Sequence, residues 1–201
     1  MKIVKIGLII LSLLLSLNAQ TADRLTDENI AFIYESRADL PITNENLVKT
    51  LSQEYKNARD EFTQYELMKK IKPVFKKKLT DAKANNSYFV KVGSTLGKYD
   101  FKNNTFSTGF SKDTYIPFKN GYALSFNNVE DIANIKVAFV DAKRLSKKLQ
   151  RNRKITAIIY IKTSKVQVKK VHWNHSKVLN ADITSITILT DDGNEIISKN
   201  L

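Results

Sequence analysis

The sequence predicts an α+β protein, N-terminal helices packed on a largely antiparallel sheet or a small β-sandwich, and three observations predict it. Apolar residues recur at spacings of three and four between residues 26 and 84. From Ser87 onward the texture changes to short runs rich in β-branched and aromatic residues, bounded by Gly, Asn and Asp. The polar pair Asn85-Asn86 marks the change. The expected division is an export signal over 1–20, a helical segment over 21–86 and a β-rich segment over 87–201 forming one domain with the helices.

The elements follow in order. Lys2 and Lys5 precede the uncharged run Ile6–Leu17, with the small residue Ala19 behind it, the order of a secretory signal. The run is too short for a membrane-spanning helix, which needs roughly 20 apolar residues, so cleavage and a periplasmic or secreted mature chain without a membrane anchor are expected. Thr26 starts a short helix over 26–37, and Pro41 ends that pattern. Thr43 or Asn44 caps a longer helix with the stripe Leu47, Leu51, Tyr55, Ala58, Phe62 and Tyr65. Pro73 predicts a break near residue 71, because a mid-helix proline removes a hydrogen bond and clashes with the preceding turn. Val74, Phe75, Leu79 and Ala82 continue the segment to Asn85.

Strands are expected at Tyr88–Val92, Lys98–Phe101, Tyr122–Phe126, Ile135–Val140, Ile155–Ile161, Val166–Val171, Ile183–Leu189 and Glu195–Ile197. Asp192-Gly193 supplies the last hairpin turn. Ile155–Ile161 is apolar on nearly both faces and is expected at the centre of the sheet. Residues 141–150 read equally as a basic helical turn or a loop.

Composition narrows the chemistry. The 201 residues carry a formal charge of +13, which becomes +11 once Lys2 and Lys5 leave with the signal. There is no cysteine, so disulfides, thiol catalysis and cysteine metal clusters are excluded. Six glycines form no phosphate-cradling Gly-x-Gly-x-x-Gly or Gly-x-x-x-x-Gly-Lys run, and no Gly-x-Ser-x-Gly turn exists. Asp60-Glu61 and Asp191-Asp192 have local explanations, on a helix's polar face and in a turn. No catalytic residue and no cofactor is assigned.

The stretch Glu54-Tyr55-Lys56-Asn57-Ala58-Arg59-Asp60-Glu61-Phe62, with Lys72-Pro73-Val74 and Leu96-Gly97-Lys98-Tyr99-Asp100-Phe101, resembles an uncharacterised family of secreted bacterial proteins, a domain of unknown function. The resemblance implies an exported chain with helices followed by strands, and brings no catalytic or binding residues with it.

Two features bear on function. Between Asp141 and Asp182 there is no acid, against twelve bases. Within that run Arg144, Lys147, Lys148, Arg151, Arg153 and Lys154 are the candidate anion site, the arginines because guanidinium forks take oxyanions bidentately. The expected function is a non-enzymatic binding module with an acidic partner, anionic lipid headgroups or an acidic glycan. Nucleic acid is not expected, since Tyr160 is the run's only aromatic up to residue 170. A second basic cluster, Lys69 to Lys78, interleaves with apolar residues as a membrane-surface or packing helix does. The alternative function is an envelope hydrolase or metal-dependent enzyme using His172 or His175, the only histidines. Zinc needs a third protein ligand, and positions three apart on a strand face opposite ways.

Overall fold

The computed structural model describes residues 22–149, 152–171 and 174–201. The expected signal 1–20 lies outside the described residues. Their first half is β1 (Asp23–Arg24), helices α1 (Asn29–Glu35), α2 (Asn44–Leu51), α3 (Gln53–Asn57) and α4 (Glu61–Ala84), then strands β2 (Ser87–Thr95), β3 (Tyr99–Asp100) and β4 (Thr105–Ser107). Strands β5 (Tyr115–Pro117) and β6 (Tyr122–Phe126), helix α5 (Glu130–Ala133), β7 (Asn134–Lys136), helix α6 (Phe139–Leu149) and strands β8 (Lys154–Val171), β9 (Asn174–Thr190) and β10 (Glu195–Asn200) follow. The protein is α+β, as the sequence predicts.

Side-chain caps set the helix boundaries. Thr26 and Asn29 exchange hydrogen bonds, Thr26 N–H to Asn29 Oδ1 at 2.7 Å and Asn29 N–H to Thr26 Oγ1 at 3.3 Å, and α1 starts there. Thr43 Oγ1 accepts from the Asn46 amide at 3.2 Å and opens α2. The long helix read from Leu47 to Tyr65 is instead divided among α2, α3 and α4. Ser52, Ala58 and Asp60 have extended backbone: Ser52 ends α2 and caps α3, its Oγ accepting from Tyr55 N–H at 3.1 Å, α3 ends at Ala58, and Asp60 caps α4, its Oδ1 accepting from Thr63 N–H at 2.8 Å. The stripe therefore does not continue, and Phe62 stands 75% exposed.

The break expected at residue 71 is also absent, for α4 runs through Pro73. Pro73 lies on the exposed side, where water can replace the bond missing at the Lys69 carbonyl. Ile71 and Phe75 on either side of it are buried, and Phe75 packs edge-on against Phe32 of α1 with centroids 5.0 Å apart.

The main sheet has seven strands in the order β1-β2-β8-β9-β6-β5, with β10 on β9. It is mixed: β1 runs parallel to β2 and β6 parallel to β9, and its other pairs are antiparallel. The central strand is β8, and it unites the two runs expected at 155–161 and 166–171, with register shifts at 160/161 and 163/166. Its inward residues Ile155, Ala157, Ile159 and Ile161 are buried with Val90, Ile183, Ile186 and Ile188, in one core shared with the helices. The β9–β10 hairpin turns at Asp192-Gly193, where Gly193 takes φ +81°, a conformation that side chains other than glycine disfavour.

A buried carboxylate fastens α1 to the sheet. Glu35, 3% exposed, accepts from Tyr122 OH at 3.0 Å and Lys177 Nζ at 2.5 Å on Oε1, and from the Ile42 amide at 3.1 Å on Oε2. The Lys177 ammonium lies 5.7 Å and 5.2 Å from the ring centroids of Tyr34 and Tyr122. Burial first, and the Glu35 charge second, push both phenols above their ordinary pKa.

A second, three-stranded sheet, β3-β4-β7, stands beside this core. Sequence patterning missed β4 and carried a strand through Ile135–Val140. The chain instead leaves β7 after Lys136, and α6 begins at Phe139.

Candidate functional site

The small sheet meets the chain around the start of α6 at two points, Tyr99 with Val137 and Phe101 with Phe139, and the region is built outward from the core. Phe106 on β4 is fully buried. Across the antiparallel β3–β4 pair lies Tyr99, its ring 5.0 Å from Phe106 and its hydroxyl donating to the Val137 carbonyl at 2.9 Å. That bond ties β3 to the segment entering α6. The chain before β3 is held from beneath by Arg153, whose Nε donates to the Leu96 carbonyl at 2.7 Å and whose terminal nitrogen donates to Gly97. The Arg153 guanidinium also lies 5.7 Å from the Phe106 ring.

The β3–β4 connection is a tight loop organised by one carboxylate. Asp100 Oδ1 accepts from the amides of Lys102 at 2.8 Å and Asn103 at 3.2 Å, and Oδ2 from the Asn103 side chain at 2.6 Å. These bonds, the Asn103 side chain's foremost, hold the Asp100 carboxyl below its ordinary pKa. Asn104 closes the loop in the left-handed region at φ 55°, which asparagine tolerates. At the tip is Phe101, 74% exposed, with its ring 6.4 Å from that of Phe139.

Helix α6 is amphipathic. Ala142, Leu145 and Leu149, spaced three and four apart, are buried in the core. The opposite face presents Val140, Lys143, Arg144 and Lys147, spaced as neighbours on one helical surface, with Lys148 beside them, all exposed. Arg144 bonds Asp141 at 2.9 Å one turn away.

The six candidate residues separate accordingly. Arg144, Lys147 and Lys148 share the outer surface of α6, and Lys154 is exposed at the start of β8. Arg153 is turned inward onto two carbonyls. Arg151 lies outside the described residues. The acid-free run is not acid-free in space. Asn152 Nδ2 donates to Asp191 at 2.6 Å, so the β9–β10 turn lies against the α6–β8 connection. Asp192 titrates below the ordinary carboxylate range, chiefly through the Thr190 hydroxyl, with the Asn194 amide and Lys148 adding to it.

The other bases of the run sit elsewhere. Past Lys162, which pairs opposite Asp182, β8 loses β2 and continues paired with β9, which carries β6 on its other side over 177–181, and exposes Lys165, Lys169 and Lys170. Lys169 bonds the Tyr115 hydroxyl, and Lys177 serves Glu35. His172 lies outside the described residues, and the backbone of His175 pairs opposite Lys170. Among the described residues no three His, Cys, Asp or Glu side chains group as metal ligands, and no helix is long and apolar enough to cross a membrane. The second basic cluster is on α4, where Lys72 pairs with Glu45 and Lys78 with Glu28.

Two clefts border α4. One, of 320 Å³, lies between α1 and the end of α4, lined by Asp23, Glu28, Phe32, Asp81 and Tyr88 among others. The other, of 570 Å³, lies between α3, α4 and the 119–120 turn, with Leu51, Ile71 and Phe75 under a rim of Asp27, Glu54, Lys70 and Lys119. Charges of both signs line each, and the Glu35 brace lines neither.

Sequence reasoning missed Phe101, Phe139 and Val140. The signal was present: positions 142, 145 and 149 against 140, 143, 144 and 147 is a helical pattern, which moves Val140 from a strand's end to a helix's outer face.

Comparison with curated proteins and with solved structures returned no match. The family comparison did: the match covers residues 28–148, from the first turn of α1 to the last turn of α6, and so includes the loop of Phe101 and the α6 bases. On that match, the chain belongs to the DUF4852 family, a domain of unknown function.

Proposed function

We propose that the chain is an exported, non-enzymatic binding module whose basic surface on α6 meets an acidic partner. The observation that carries this reading is the outer face of α6, where Lys143, Arg144, Lys147 and Lys148 stand exposed on a helix fixed from behind by Ala142, Leu145 and Leu149. A helix held rigidly by its apolar face presents its charges in a fixed array, and such an array raises the local concentration of anions. Lys154, exposed at the start of β8, extends the surface, and Arg153 holds the neighbouring loop in place. Anionic headgroups and acidic glycans are the partners that such a surface meets in the cell envelope.

The test is binding to immobilised heparin across a salt series, comparing wild type with a variant in which Lys143, Arg144, Lys147 and Lys148 are changed to Gln. Wild type is expected to bind with a log–log salt slope of about −3 for four engaged side chains, by the polyelectrolyte relation. The variant is expected to lose most of both affinity and slope. Equal binding by the two proteins would move the site off α6, and no binding by wild type would remove the reading.

A further inference from the structure

We infer that this face is a membrane-docking surface: Phe101, Phe139 and Val140 insert into an anionic lipid bilayer while the bases of α6 engage its headgroups. The inference rests on the reading of α6 as an acid-binding face and names the partner.

Three observations carry it. Phe101, Phe139 and Val140 are 74%, 57% and 77% exposed, and they adjoin, with the two phenyl rings 6.4 Å apart. Single exposed apolar side chains are ordinary on protein surfaces, but Phe101 at a loop tip in ring contact with Phe139 of α6, with Val140 next to it in the chain, is a contact surface. Secondly, the tip is built to hold its shape. Asp100 binds the amides of the loop, Tyr99 bonds across to Val137 and packs edge-on against Phe101 and tilted against buried Phe106, and Arg153 pins the chain before β3. A rigid tip loses little conformational entropy when it inserts.

Thirdly, the charges are ordered behind the apolar tip as a bilayer requires. Lys102 follows Phe101, Lys136 stands on β7, and Lys143, Arg144 and Lys147 continue the face of Val140 along α6, all exposed. A bilayer of anionic lipid offers negative headgroups at the surface and hydrocarbon a few ångströms deeper, so bases and rings are satisfied in one docked pose. An acidic glycan matches the bases alone and leaves the phenylalanines in water. The acids at this face do not oppose the pose: Asp141 is paired with Arg144, Asp100 is bonded into its loop, and Asp192, near Lys148, is bonded to Thr190 and Asn194. Lysine side chains bordering the tip can extend their ammonium groups to the headgroup level while their stems lie along apolar surface.

The experiment is co-sedimentation with vesicles of phosphatidylcholine alone and of phosphatidylcholine mixed with phosphatidylglycerol, alongside heparin binding. It uses the chain as recovered from cells, its N-terminus read by intact mass and identical in all variants compared. Wild type is expected to bind the anionic vesicles and not the neutral ones. Phe101→Ser with Phe139→Ser is expected to weaken vesicle partition by about tenfold or more, from the lost burial of two phenyl rings, and to keep heparin binding. Phe101→Trp with Phe139→Trp is expected to keep both. Vesicle binding unchanged in the serine variant overturns the inference and leaves the basic face standing, as does wild type binding heparin but not vesicles. Loss of heparin binding together with vesicle binding in the serine variant makes the rings a brace for the face and also overturns it. Failure of wild type on heparin and vesicles alike removes the inference and the underlying reading together.

Discussion

Two arginines nine residues apart do different work, and their environments say which. Arg153 gives its guanidinium to two main-chain carbonyls above a buried ring, whereas Arg144 stands on the helix surface against one carboxylate. Arg153→Ala is expected to destabilise the fold by about 2 kcal/mol, the range for hydrogen bonds made by a charged donor. Arg144→Ala is expected to change stability by less than about 0.5 kcal/mol, as for an exposed ion pair. Urea denaturation of the two variants checks both, and a reversed order would mean that Arg153 is not a brace. Asp100 adds a pH-dependent element. Its folded-state pKa lies below the ordinary value, so its bonds to the loop contribute fully above the unfolded-state pKa, near about 3.9. That contribution is lost as pH falls through the lowered folded-state value. The amide resonances of Lys102 and Asn103 are therefore expected to hold steady from neutral pH to about pH 4 and to shift below it, and in Asp100→Asn to be insensitive to acid.

At the scale of elements, local chemistry explains both what could be read from sequence and what could not. The caps at Thr26 and Thr43, the Asp192-Gly193 turn and the central position of β8 were legible because each rests on residues adjacent in sequence. The division of the Leu47–Tyr65 stripe was not, since Ser52 and Asp60 are ordinary polar residues until their side chains turn back to cap. Pro73 misled in the other direction, as burial of Ile71 and Phe75 outweighs the bond it removes. Pro73→Ala is accordingly expected to stabilise the protein, by as much as about 3 kcal/mol if α4 is otherwise unchanged, raising the urea midpoint. A loss of stability there would show that the proline fits a bend the packing needs. Helix α6 was left open between helix and loop because its first turn, Phe139-Val140, continues the β-branched texture of β7. Its basic outer face was legible as a charge run, but its aromatic border was not, for Phe101 and Phe139 are 38 positions apart and meet only through the β3-β4-β7 pairing.

Over the whole molecule, tertiary structure redistributes a charge pattern that looks uniform in sequence. Among the described residues, the bases between Asp141 and Asp182 divide between α6, strand β8, and internal roles at Arg153 and Lys177. Lys177 reaches 142 positions back to Glu35 and couples α1 to the sheet. Because Glu35 is buried, Lys177→Met is expected to cost about 3 kcal/mol by leaving an uncompensated charge. Adding Glu35→Gln is expected to recover part of that loss, since it removes the buried charge while the amide oxygen accepts from Ile42 and the amide nitrogen can donate to the Tyr122 hydroxyl oxygen; denaturation of the single and double variants checks it. Four of the outward-facing bases, Lys143, Arg144, Lys147 and Lys148, share α6 with Phe139 and Val140, and the account rests on that grouping. Its most direct test is an amide NMR titration of the isotopically labelled protein with a heparin oligosaccharide at low salt. The account predicts that the perturbed resonances cluster on residues 139–148 and the adjoining 100–104 loop, and that they return toward their free positions as salt is added. Perturbations centred on the clefts along α4, or on the β8–β9 hairpin, with α6 unmoved would contradict it.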